Sequence, residues 1–279
     1  MRRGSFESPA GPALSYLEWN REGAGPPIVC VHGLTRNALD FEKLGGALAE
    51  SGRHVVSLDV VGRGESGRLD DPSAYGYPQY LDDSLALARH LDAVQVDWVG
   101  TSMGGLIGMM LAAQQPELIR RMVVNDVGPF IPKAALERIA QYLSYDWRFE
   151  SLAHADAHLQ KVYLPFGITD ADHWRRFIEI SVAPDGEGGY LPNYDPAIAA
   201  PFKDAHLEDV SLWDVWDAVS AEVLLLRGAQ SDLLLSETAE EMTKRGPGCG
   251  LQEFQGCGHA PPLMEASQIA PVVRFLNAA

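Results

Sequence analysis

Gly100-Thr101-Ser102-Met103-Gly104 sets one hydroxyl between two glycines, immediately after the apolar run Val96-Asp97-Trp98-Val99 and before the helical pattern Leu106 to Gln114. Strand, sharp turn and helix in that order push a serine oxygen out at the end of a sheet. The glycines remove Cβ atoms that so tight a turn would not accommodate. A helix N-terminus behind the serine favours negative charge as it develops. A serine hydroxyl is a poor nucleophile until a base takes its proton. The candidate base is His259, in the glycine-rich stretch Gly256-Cys257-Gly258-His259-Ala260-Pro261 that follows the apolar Leu251–Phe254. His90 lies on a surface-helix pattern, and His154, His158, His173 and His206 lie in a separate helical segment, so they compete less well.

An imidazole base needs a carboxylate to fix its tautomer and stabilise its charged form. Asp232, in Arg227-Gly228-Ala229-Gln230-Ser231-Asp232, follows the apolar run Val223–Leu226 and is the preferred partner. Asp126, in Asn125-Asp126-Val127-Gly128-Pro129 after Met122–Val124, is the rival; its other readings are lining the pocket floor or capping a turn. Acyl transfer also requires two fixed donors for the carbonyl oxygen. The amide of Met103 is one candidate. The amide of Leu34, in the loop His32-Gly33-Leu34-Thr35, is the other. His32 reads as a hydrogen-bonding support of that loop.

The elements that must position these groups alternate. Ile28–Val31 reads as a buried strand, and His54–Asp59, Val96–Val99, Met122–Val124, Val223–Leu226 and Leu251–Phe254 read as further strands. Phe41–Glu50, Tyr80–Leu91, Leu106–Gln114 and Ile269–Leu276 read as helices. That alternation implies a mainly parallel sheet with helices on both faces. From about Pro129 to Trp213 the rhythm stops, in a helical, aromatic, proline-punctuated stretch without a convincing buried strand. The expected organisation is a core of residues 1–128 and 214–279 with an inserted helical lid at 129–213. Tyr142 and Trp147 are the lid aromatics chosen as pocket residues, with His32 and Asp126 beneath them.

Composition narrows the partners. The chain has 279 residues, 46% of them hydrophobic, which is enough for a sizeable core, and a formal charge of −16. That balance disfavours nucleic acid and anionic membrane surfaces, which require basic patches. Cys30, Cys249 and Cys257 are too few and too irregular for a disulfide framework, which points to a reducing compartment and a cytoplasmic location. No apolar stretch follows Arg2-Arg3 as in a secretory signal. No run of about 18 apolar residues predicts a membrane span. His154 and His158, at i and i+4, have a metal-compatible spacing without an evident third ligand. Neither a Walker-type phosphate loop nor a dinucleotide fingerprint is present, and no cofactor is expected.

The chain resembles the α/β-hydrolase superfamily. The resemblance is carried by His32-Gly33, the turn Asp59-Val60-Val61-Gly62-Arg63-Gly64-Glu65-Ser66, the Gly-Thr-Ser-Met-Gly-Gly elbow, Arg-Gly-x-x-Ser-Asp and Gly-Cys-Gly-His, and covers almost everything outside the lid. It implies an α/β-hydrolase sheet flanked by helices, and the chain order Ser, Asp, His for the catalytic groups. Branches with an aspartate nucleophile are disfavoured, because that position is Ser102. The resemblance and the lid aromatics imply hydrolysis of small hydrophobic carboxylic esters through an acyl-enzyme. The same residues on a lactone, a carbon–carbon bond or an acyl transfer form a second reading, and a ligand-binding protein on a hydrolase scaffold forms a third. Neither the natural substrate nor the oligomeric state is readable from the sequence.

Overall fold

The apolar runs become neighbouring strands of a single sheet. The structure, a computed structural model that describes residues 1–145, 147–203 and 206–278, contains an eight-stranded sheet. Its strands are β1 (Arg2–Glu7), β2 (Ala13–Trp19), β3 (Ile28–Val31), β4 (Val55–Leu58), β5 (Val96–Thr101), β6 (Ile119–Asn125), β7 (Glu222–Gly228) and β8 (Gly250–Phe254). They lie in the order β1-β2-β4-β3-β5-β6-β7-β8. β3 to β8 pair in parallel. β2 is antiparallel to both of its neighbours. The β1–β2 hairpin was not expected from the sequence: only one residue of β1, Phe6, is buried, so β1 carries no apolar run to read.

Because successive side chains of a strand face opposite ways, one run fills two cores. Ile28 and Cys30 pack with Leu44, Leu48, Val272 and Leu276. Val29 and Val31 pack with Leu87, Ile107 and Trp216. Helices α1 (Glu42–Glu50) and α9 (Ala266–Leu276) therefore cover the first face. Helices α2 (Tyr77–His90), α3 (Met103–Gln114) and α7 (Trp213–Asp217) cover the second, and α8 (Ser236–Met242) precedes β8. Helix α2 begins three residues before the expected Tyr80. Pro78 reads as a breaker in sequence, yet the first turn tolerates it because no partner for its missing N–H is needed there.

Between β6 and β7 the chain leaves the sheet through Phe130–Ile131, which pairs antiparallel with Val210–Ser211 on the way back. Inside that neck lie α4 (Lys133–Leu143), α5 (Leu152–Tyr163) and α6 (Ala171–Ser181). A small hairpin, Val182–Pro184 with Tyr190–Pro192, follows. Phe149, Leu159, Tyr163 and Phe177 form part of a separate small core here. None of these short strands joins the main sheet.

The strand that carries Ser102 is anchored at its other end by charge. Asp97 on β5 has no solvent exposure. It accepts from Arg53 Nη2 at 2.5 Å and from Arg120 Nε and Nη2 at 2.9 and 2.7 Å. Arg53 also donates to the Leu276 carbonyl at 2.5 Å, which ties α9 to the same point. Removing one partner of a buried pair strands the other charge. Asp97→Ala is expected to lower unfolding free energy by roughly 3–5 kcal/mol, read as a shift of the urea midpoint at unchanged slope.

Candidate active site

Ser102 sits on the predicted turn with φ 51° and ψ −115°, a conformation rarely adopted by a residue with a Cβ. The turn is tight enough that a Cβ on Gly100 would lie 2.2 Å from the Gly104 carbonyl oxygen, and one on Gly104 would lie 2.0 Å from that of Val31. The amides of Gly105 and Leu106 donate to the Ser102 carbonyl at 2.8 and 3.1 Å, which starts α3 directly behind the hydroxyl.

His259 reaches this hydroxyl from the loop after β8. Its Nε2 lies 2.9 Å from Ser102 Oγ. Its Nδ1 lies 2.8 Å from Asp126 Oδ2. A carboxylate oxygen accepts, so the Nδ1 proton points to Asp126 and the Nε2 lone pair faces the serine. Asp126 is wholly buried and, like Ser102, has a positive φ, of 59°. Gly228 N donates to its Oδ1 at 2.7 Å, and Ser231 Oγ donates to its Oδ2 at 2.6 Å. Ser102, His259 and Asp126 thus form one hydrogen-bonded chain.

The expectation that Asp232 holds His259 is corrected by this geometry. Asp232 turns outward, its side chain 55% exposed, and both of its oxygens accept from Arg138, at 2.7 and 2.9 Å. The inward place at that end of β7 belongs to the preceding residue, Ser231, which supports Asp126 instead. Sequence reading assigned no role to Ser231; its only signal was its position beside the candidate acid.

The two amides chosen as oxyanion donors are open. Neither Leu34 N nor Met103 N has an acceptor among the described residues. A Cβ on Gly33 would stand 3.7 Å from Ser102 Cβ, so the Leu34 loop runs directly beside Ser102. His32 holds that loop from below. Its Nδ1 donates to the Gly33 carbonyl at 2.7 Å, and Val60 N donates to its Nε2 at 3.0 Å. Complete burial pushes its pKa down to about 3, so it stays neutral and keeps this tautomer at ordinary pH. Arg63, unassigned in the sequence reading, holds the loop from above by donating to the Leu34 carbonyl at 2.9 Å and to Val61 at 2.8 Å. Its signal was the Gly-Arg-Gly turn.

Two cavities meet at Ser102. One, of about 70 Å³, is bordered by His259, Tyr142, Tyr163 and Arg138. The other, of about 170 Å³, is bordered by Met103, Leu106, Val127, Ile131, Ile198 and Leu233, with Tyr75, Tyr77 and Tyr80, and is mainly apolar. Tyr142 therefore borders the chamber that holds Ser102. Trp147 does not; it borders a wider outer cavity of about 640 Å³. His32 lines none of the three, being packed beneath the loop. His154 and His158 meet edge to face at 4.5 Å between ring centroids, and among the described residues no group of three or more His, Cys, Asp or Glu side chains could hold a metal ion. Among those residues, too, no helix is long and apolar enough to cross a membrane.

Residues 26–161 match the family described as alpha/beta hydrolase fold. A 3-hydroxybutyrate-oligomer hydrolase of Cupriavidus necator is 40% identical, over 98% of this chain and 96% of that protein. Among solved structures, an alpha/beta hydrolase from Novosphingobium aromaticivorans is 36% identical, with a TM-score of 0.90 over 99% of this chain and 97% of that one. A structure from Rickettsia typhi is 33% identical, with a TM-score of 0.92 over 99% of both chains. The chain belongs to the α/β-hydrolase fold family. Within that family it is a hydrolase.

The two carboxylates separate cleanly by experiment. Asp126→Asn disturbs the tautomer that faces Ser102, and is expected to lower kcat on p-nitrophenyl acetate by about three powers of ten or more. Asp232→Asn leaves the Ser102–His259–Asp126 chain in place and is expected to retain the pre-steady-state release of p-nitrophenol. Stopped-flow absorbance of the two variants checks both.

Proposed function

We propose that the protein is a serine hydrolase of carboxylic esters working through an acyl-enzyme. The observation that carries this is the unbroken chain from Ser102 Oγ through His259 to Asp126, at 2.9 and 2.8 Å, beside two unengaged amides. Ser102 attacks the ester carbonyl while His259 Nε2 takes its proton. The oxygen of the tetrahedral adduct becomes negative and is met by Leu34 N–H and Met103 N–H. His259 then gives the proton to the departing alcohol oxygen, leaving the acyl group on Ser102. Water attacks next, with His259 again as base, and the acid is released. Asp126 holds the imidazole in place and offsets its charge during both halves. No step requires a metal or cofactor.

The 129–213 segment acts in this reading as a helical lid. Tyr142 and Tyr163 from it border the chamber with Ser102, while the apolar cavity takes the acyl chain. The size of that cavity favours short acyl groups over long ones. The 40% identical relative is named for hydrolysis of 3-hydroxybutyrate oligomers. Short aliphatic hydroxy-acid esters are accordingly the substrates proposed for this chain.

Three measurements test the reading together. p-Nitrophenyl butyrate is expected to give a burst approaching one equivalent of p-nitrophenol per enzyme. Ser102→Ala is expected to abolish the burst and lower turnover by about a millionfold, towards the level left by binding alone. The dodecanoate ester is expected to be cleaved at least about tenfold less efficiently than the butyrate. Undiminished turnover by Ser102→Ala would overturn the mechanism.

A further inference from the structure

We propose that the outer cavity beyond Arg138 selects esters whose leaving alcohol carries a carboxylate; this rests on the ester-hydrolase reading and specifies its substrate. The protein has 38 acidic against 22 basic side chains. The outer cavity runs the other way: among the described residues Arg138, Arg148, Lys161, His154 and His158 border it, and no carboxylate does. Of its arginines and lysine, two are available. Arg148 is neutralised by Asp185 at 3.0 Å and by Glu187. Lys161 has no ion-pair partner among the described residues. Arg138 gives Nε and Nη2 to Asp232 and keeps Nη1 free of any partner among those residues.

Arg138 is also the cation that borders both the chamber at Ser102 and the outer cavity. The buried Arg36 of the chamber is already saturated. Asp40 accepts from its Nε and Nη2, Ser181 Oγ accepts from Nη1 at 2.5 Å, and its guanidinium carbon lies 3.7 Å from the centre of the Phe177 ring. The direction of binding follows from the proton. His259 must reach the departing alcohol oxygen, and it borders the narrow chamber, not the apolar cavity. The acyl part therefore occupies the apolar cavity, and the alcohol part extends past His259 towards Arg138 and Lys161. A carboxylate there completes the donors that Asp232 leaves free. The two-point grip of Asp232 fixes the Arg138 fork, making Asp232 a positioning residue for recognition.

The test compares 3-acetoxybutyrate with its neutral amide, 3-acetoxybutyramide, by acetate release. The native enzyme is expected to prefer the acid by about tenfold or more in kcat/KM, with the preference shrinking as salt rises from 0.01 to 0.5 M. Arg138→Gln is expected to reduce the acid-to-amide ratio by about tenfold, mainly through KM, and Arg138→Lys to restore part of it. The exposed Lys161→Gln is expected to move the ratio in the same direction by a smaller factor, and it serves where Arg138→Gln does not fold. A native ratio near one, a ratio unmoved by either variant, or cleavage of neither compound by an enzyme that turns over p-nitrophenyl acetate overturns the proposal. Absence of turnover on p-nitrophenyl acetate as well is instead the failure of the ester-hydrolase reading.

Discussion

A carboxylate with no solvent exposure must be surrounded by donors, or it destabilises the fold that encloses it. Asp126 meets that demand with the Gly228 amide, the Ser231 hydroxyl and the His259 ring. Those three donors come from β7, from the loop after β7, and from the loop after β8. The parallel register makes the convergence possible, since Asp126 N in turn donates to the Leu226 carbonyl at 2.9 Å, and Ser102 N donates to the Asn125 carbonyl at 2.9 Å. One buried charge thus ties the ends of four adjacent strands together, and Ser102 lies at the same edge.

The meeting of Ser102 and His259 was legible because each announces itself locally. The elbow needs glycines within two residues of the serine, and the strand before it and helix after it are readable by periodicity. The carboxylate that holds His259 was not legible in the same way. Two neighbouring strands each end in a carboxylate, Asp126 directly after β6 and Asp232 four residues after β7. The choice depends on which side chain turns inward. At the second strand a serine turns in and the aspartate turns out, and no spacing rule in the sequence distinguishes that from the reverse. The strained φ of Asp126, which aims its carboxylate, is likewise invisible without coordinates.

The same limit applies to the sheet edge and to the segment over the active site. β3 to β7 read clearly because their runs are continuous and largely buried, whereas β8, at the other edge of the sheet, has no buried residue. β1 has an exposed edge and an almost wholly polar sequence, so nothing distinguishes it from a tail. In the inserted segment, Tyr142 and Trp147 are five residues apart and similar in character, and both border the outer cavity, yet only Tyr142 also reaches the chamber at Ser102. Their separation is set by how α4 leaves its last turn, where Trp147 Nε1 donates to the Tyr142 carbonyl at 3.2 Å.

The inserted segment is fastened to the very loops it covers. Gly258 N, next to the base, donates to the Pro165 carbonyl at 2.6 Å. Thr35, next to the Leu34 donor, shares a 3.0 Å hydrogen bond with Tyr163, and Asn37 Nδ2 donates to the Ile180 carbonyl at 2.7 Å. A cover attached this way is not an interchangeable cassette. Grafting a relative's helices onto this sheet, in a chimera or in evolution by recombination, would have to present matching partners to residues 35, 37 and 258 or leave those loops without their bracing.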